Sequence, residues 1–185
     1  MKLVFIRTKA ESVFFDDACD HDALDAHKLG QMKISAKAGS SSKNIIRGLH
    51  ERGVFDDFEE WKFWRGSNLH LRENGVFPVR LFSGESDMTS TAMAEHIRRN
   101  GQPDILWVEG PHYPPYIEQL FDLCPNSFKM VYSKDWRPHK IKRLDRYNLC
   151  IVDEAWQIKK VKKYFPDVHC GMWDKLIDYE HTHFP

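Results

Sequence analysis

Six short apolar runs recur along this chain, with helix-like segments between them, and that rhythm limits the fold more than any other feature. The runs are Lys2 to Ile6 (KLVFI), Val79 to Phe82 (VRLF), Asp104 to Val108 (DILWV), Phe128 to Tyr132 (FKMVY), Asn148 to Val152 (NLCIV) and Val168 to Met172 (VHCGM). Each has the length of a buried strand. Several are almost continuously apolar, which suits a sheet covered on both faces.

The intervening segments predict helices. One starts near Ser42, carries Ile45, Ile46 and Leu49 on one face, follows capping serines and stops at Gly53. A second runs from Ser90 to Arg99 and ends at Asn100 and Gly101. A third runs from Pro115 to Leu123, with proline in its first turn. A short fourth covers Ile141 to Tyr147. A fifth, Glu154 to Tyr164, is expected to bury Trp156, Val161 and Tyr164 and to turn Lys159, Lys160, Lys162 and Lys163 to water. Strands alternating with helices predict a single α/β Rossmann-like sandwich over residues 1–185, with a mostly parallel sheet and helices on both faces. Ligands of such sheets sit outside the carboxyl ends of the strands. That points to residues 7–9, 83–85, 109–112, 133–136 and 153–154.

Two stretches break the rhythm. Residues 54–78 crowd Phe55, Phe58, Trp61, Phe63 and Trp64 together. They read as a helix packed on the core or as an aromatic wall for a sugar or lipid. Residues 10–38 show little periodicity and read as a loop excursion.

Charge is balanced at 27 basic and 27 acidic residues, which argues against a dedicated nucleic-acid binder. The balance fails locally. Lys129 to Lys163 holds eleven basic residues and four acidic ones. This is a set of solvated helix faces, or a face that meets anionic lipid or a phosphorylated acceptor. The four cysteines lack CxxC spacing and read as reduced core residues of a cytoplasmic protein. No apolar stretch has the length of a bilayer span, so any membrane contact is expected to be peripheral.

The order of the later segments resembles the N-terminal domain of GT-B retaining glycosyltransferases, the glycosyltransferase family 4 group. Pro103 to Pro111 (PDILWVEGP) looks like that family's strand leading into a His/Gly loop. Phe128 to Asp135 (FKMVYSKD) looks like its next strand, and Asn148 to Trp156 (NLCIVDEAW) like its strand, Ser-Glu, helix unit. Pro166 to Asp178 (PDVHCGMWDKLID), with Phe184 and Pro185, resembles the link to a second domain, so residues 173–185 are expected to begin that linker. Gly39 to Gly53 (GSSSKNIIRGLHERG) is similar to the glycine-initiated first helix. Departures are a single Gly39 where paired glycines are usual, Ser133 to Asp135 where a histidine is common, and Trp173 and Asp174 in place of Asn-Gly. The resemblance implies an acceptor-binding half that holds a glycan or lipid-linked acceptor. A separate C-terminal domain, not in this sequence, would bind the nucleotide sugar.

Sugar transfer needs a positioned acceptor hydroxyl and a neutralised diphosphate. Glu109 and Asp135 are the candidate catalytic carboxylates; each follows a strand and could accept an acceptor hydroxyl's hydrogen bond or its proton, or else cap a helix. Lys134 and Arg137 flank Asp135 and could meet a phosphate. Gly39, Ser40 and Ser41 place backbone N–H groups at a helix start. His112 and Tyr113 lie in a proline-rich loop at the same edge, as acceptor contacts or plain surface. Asp153 and Glu154 read as helix caps. His169, Cys170, His181 and His183 do not have the spacing of a closed metal site, so no metal is expected, and no cofactor. The competing readings are a stand-alone binding module or partner subunit, and half of a sugar-nucleotide epimerase.

Overall fold

The apolar runs become strands of one sheet. The computed structural model describes residues 1–7, 41–64, 68–73, 77–83, 91–110, 115–133 and 143–172. In chain order these form β1 (Lys2–Arg7), α1 (Ser41–Glu51), β2 (Asp57–Trp64), β3 (Leu69–Glu73), β4 (Phe77–Ser83), α2 (Thr91–Asn100), β5 (Ile105–Glu109) and α3 (Pro115–Leu123). Then come β6 (Phe128–Ser133), a 3-10 turn (Leu144–Arg146), β7 (Leu149–Val152), α4 (Ala155–Tyr164) and β8 (His169–Met172). The sheet order is β3-β4-β2-β1-β5-β6-β7-β8. Seven strands are parallel; β3 alone runs antiparallel, on the edge beside β4. This is a Rossmann-like α/β fold. The chain builds outward from β1 to β2 and β4, then returns to lay β5 on the other side of β1. That reversal is the topological switch point, where such sheets open a crevice.

Both faces of the sheet are buried, by different helices. On one face Val4, Ile6, Leu106, Val108, Val131 and Val152 pack with Met93 and Ile97 of α2, Ile117 and Leu120 of α3, and Val161 of α4. On the other, Leu3, Phe5, Trp107, Tyr132 and Ile151 pack with Ile46 of α1. Strand alternation accounts for the split: successive residues of β1 fall to opposite cores. Each fully buried aliphatic side chain contributes roughly 1.5–3 kcal/mol.

The helix signals in the sequence are used directly. Gly53 adopts φ +72° and closes α1. Its N–H donates to His50 O at 2.9 Å, and the Val54 N–H donates to Leu49 O at 3.0 Å, the paired bonds of a Schellman stop. Gly101, at φ +81°, follows α2 in the same role. Glu154 and Gln157 form a reciprocal capping box at the start of α4.

Three expectations are corrected. Residues 54–78 contain no helix over their described part; they hold β2 and most of the edge hairpin β3–β4. Of the aromatic residues expected to form a helix face or a wall there, Phe55, Phe58 and Trp61 are buried in the core. β2 has a partner on each side, β1 and β4, so its backbone groups are paired as those of a central strand must be. Helix phase corrects α4. Gln157 and Val161, four residues apart, take the buried stripe, leaving Trp156 and Tyr164 exposed. The short fourth helix reduces to the 3-10 turn at Leu144–Arg146, entered through Arg143 at φ 54°. The loop excursion at 10–38 and the linker at 173–185 lie outside the described residues.

Candidate functional site

Glu109 is the last residue of β5, at the carboxyl edge beside the switch point. It pairs in register with Arg7 of β1 and Tyr132 of β6. Its side chain is buried. Gly110 follows at φ 121°, a conformation that favours glycine, and its N–H donates to Tyr132 O at 3.3 Å. The chain therefore leaves the sheet sharply and holds Glu109 at the rim.

Register carries the same face across the neighbouring strands. Phe5 pairs with Trp107 and with Glu60, so Glu60, Trp107 and Glu109 share the α1 side of the sheet. Glu60 is fully buried and receives Lys43 Nζ, from the first turn of α1, at 2.5 Å. Lys62 Nζ stands 3.5 Å from the same carboxylate. Lys43 also lies over the Phe77 ring at 4.8 Å, so its ammonium rests between a carboxylate and an aromatic face. On the other side of the switch point the Tyr132 hydroxyl donates to Asp153 Oδ1 at 2.6 Å. The carboxyl ends of β5 to β7 thus carry a polar strip, Glu109, Tyr132 and Asp153, on the same face as the Lys43, Glu60 and Lys62 group, which lies across β1 with Glu60 two residues below the Glu109 level. The strip brings carboxylate and hydroxyl groups together at the strand ends, the chemistry that recognises a hydroxyl-bearing ligand.

Of the residues singled out from sequence, Glu109 lies in this strip, and Ser41 is the first residue of α1. Asp135, Gly39, Ser40, His112, Tyr113, Lys134 and Arg137 lie outside the described residues. Asp153 is not the helix cap expected of it. Glu154 takes that position, and the Gln157 side chain accepts the N–H groups of both, freeing the Asp153 carboxylate for Tyr132. Sequence reasoning passed over Lys43, Glu60 and Lys62. The available signal was a pair of adjacent glutamates inside an aromatic run, which a solvated helix face would explain equally well.

A second polar cluster lies on the opposite face. Glu59 there accepts from Lys2 Nζ at 2.8 Å, Trp61 Nε1 at 2.7 Å and Arg80 Nε at 3.0 Å, with His70 and His96 within 4.0 Å. Burial opposes its charge, but the Lys2 ammonium, the Trp61 N–H and Arg80 outweigh burial and hold its pKa below the usual glutamate value. A groove of about 520 Å³, lined by His70, Arg80, His96 and Arg99, opens beside it. Its arginines are matched by acids, Arg80 by Glu59 and Arg99 by Glu95. Its place beside the β3–β4 hairpin is remote from the switch point, so the carboxyl-edge strip is the better candidate.

Cys124 and Cys150 are buried free thiols whose pKa values burial pushes up to about 11 and about 12, so they are unreactive at neutral pH. Among the described residues no group of three or more His, Cys, Asp or Glu is placed to hold a metal. No protein-family profile matches this chain, and neither a curated protein nor a solved structure is significantly similar to it.

Proposed function

We propose that this chain is the acceptor-binding half of a GT-B-type glycosyltransferase. It holds a hydroxyl-bearing acceptor, a glycan or a lipid-linked sugar, at the carboxyl edge of its sheet. A second half binds the nucleotide sugar. The observation that carries the reading is Glu109, buried at the rim of β5 beside the strand-order reversal, with the Tyr132–Asp153 hydrogen bond on the neighbouring strand ends. The ordered motifs of the sequence support it.

In transfer the acceptor oxygen bonds to the anomeric carbon as the bond to the diphosphate breaks, and the hydroxyl proton goes to a base. Glu109 orients that hydroxyl and takes its proton. In the same reading Asp135, which follows β6 in the chain, is the second catalytic carboxylate, and Lys134 and Arg137 beside it contribute to acceptor binding.

Two measurements test it. The 185-residue chain alone should turn over no UDP- or GDP-sugar, and calorimetry should find no tight stoichiometric UDP or GDP binding. In the transferase complete with its donor half, Glu109→Gln should lower kcat/KM on the order of 100-fold or more. Tight nucleotide binding by this chain, or a Glu109→Gln enzyme with full activity, would overturn the assignment.

A further inference from the structure

We infer that the outer stripe of α4 docks this protein on an anionic lipid bilayer. The helix reads AWQIKKVKKY, with four lysines and no acid. Gln157 and Val161 are buried and Ile158 packs on the core, which fixes the inward face. Trp156, Lys159, Lys160, Lys163 and Tyr164 then fall at i, i+3, i+4, i+7 and i+8, a single outward stripe.

The stripe has an aromatic residue at each end and lysines between. Trp156 and Tyr164 are 42% and 56% exposed, unusual for rings of this size in a chain with a full core. Lys160 Nζ lies 4.9 Å from the Trp156 ring centroid and Lys163 Nζ 5.7 Å from that of Tyr164. Exposed Met172, on the edge strand that follows α4, adds apolar surface. The nearest acids along the chain, Glu154 and Asp167, lie beyond the two ends of the helix.

Charge and side-chain type select the partner. Lysines favour an anionic surface, and Trp and Tyr rings settle at headgroup depth with the apolar part inward. A nucleic acid is the poorer match. The helix has no arginine for bidentate phosphate or base contacts, and the whole chain is neutral rather than basic. Contact of this kind is with the surface, and no helix among the described residues is long and apolar enough to cross a membrane.

Co-sedimentation of the whole chain with vesicles tests the inference. It should bind phosphatidylcholine vesicles containing phosphatidylglycerol, bind pure phosphatidylcholine weakly, and release with salt. Joint Lys159→Glu, Lys160→Glu and Lys163→Glu substitution should weaken binding at least about 10-fold, since each lysine carries on the order of a fivefold effect near an anionic membrane. Lys162→Glu, off the stripe and bonded to Pro166 O, should cost less. Trp156→Ala should weaken binding while leaving thermal unfolding unchanged. Equal, salt-insensitive binding to both vesicle types overturns the inference, as does a triple variant that is folded and binds normally. Tighter salt-sensitive binding to a single-stranded oligonucleotide than to vesicles does the same. None of these readouts depends on sugar transfer, so failure here leaves the proposed function standing.

Discussion

Lys43 and Glu60 show how a charged pair can be put inside an apolar face. Their side chains are 9% and 0% exposed, and the ammonium is 2.5 Å from the carboxylate. At such burial the attraction is offset by desolvation, so the pair adds little net stability, whereas breaking it strands a charge. Glu60→Ala should therefore destabilise the fold by about 3–5 kcal/mol in urea unfolding. The double replacement Lys43→Met with Glu60→Leu should cost less, because the Lys43 ammonium leaves with the carboxylate and only Lys62, 3.5 Å from it, must find another partner. Equal losses from the single and double variants would refute this account.

Helix α1 shows the same economy among elements. Its inward residue Ile46 packs under β1 and β4, and its end is set by backbone conformation rather than packing. Gly48 lies inside the helix and Gly53 just past it, and neither would bring an added Cβ within 4 Å of another group. Their responses to alanine should differ in sign. Gly48→Ala should stabilise by about 0.5–1 kcal/mol through helix propensity. Gly53→Ala must hold φ +72° and should destabilise by about 1 kcal/mol. Thermal unfolding of the two variants checks both signs.

Across the whole molecule, the Glu59 cluster ties β1, β2, β3, β4 and α2 together through Lys2, Trp61, His70, Arg80 and His96. Burial, and then the nearby Arg80, depress the pKa of His96 below its ordinary 6.5. Below pH 6.5 the unfolded chain thus takes a proton that the folded one resists, and stability falls as pH drops through that value. Glu59, whose pKa is also depressed, gives stability that is present above 4.5 and lost as pH falls further, through its folded value. Denaturant midpoints measured across this range should fall in two stages. His96→Phe, which keeps an aromatic ring against Trp61 and Phe82, should remove only the upper one.

The fold class was legible because it depends on local signals. Near-continuous apolar runs at Leu3 to Ile6, Ile105 to Val108 and Leu149 to Val152 can be buried on both faces only in a layered parallel sheet, and Gly53, Gly101 and Pro115 mark helix ends by backbone preference. The position of Glu109 at the end of β5 was legible for the same reason, since it is the first charged residue after such a run. The strand β2 was not legible. Glu59, Glu60 and Lys62 break its apolar pattern, and the two buried glutamates are matched chiefly by cations distant in the chain, Lys2, Lys43 and Arg80. The role of Asp153 and the outward turn of Trp156 were hidden likewise. The first depends on where β6 brings Tyr132, and the second on which neighbours of α4 compete for the core. Local preference is written residue by residue, but compensation for a buried charge exists only once strands far apart in sequence lie side by side.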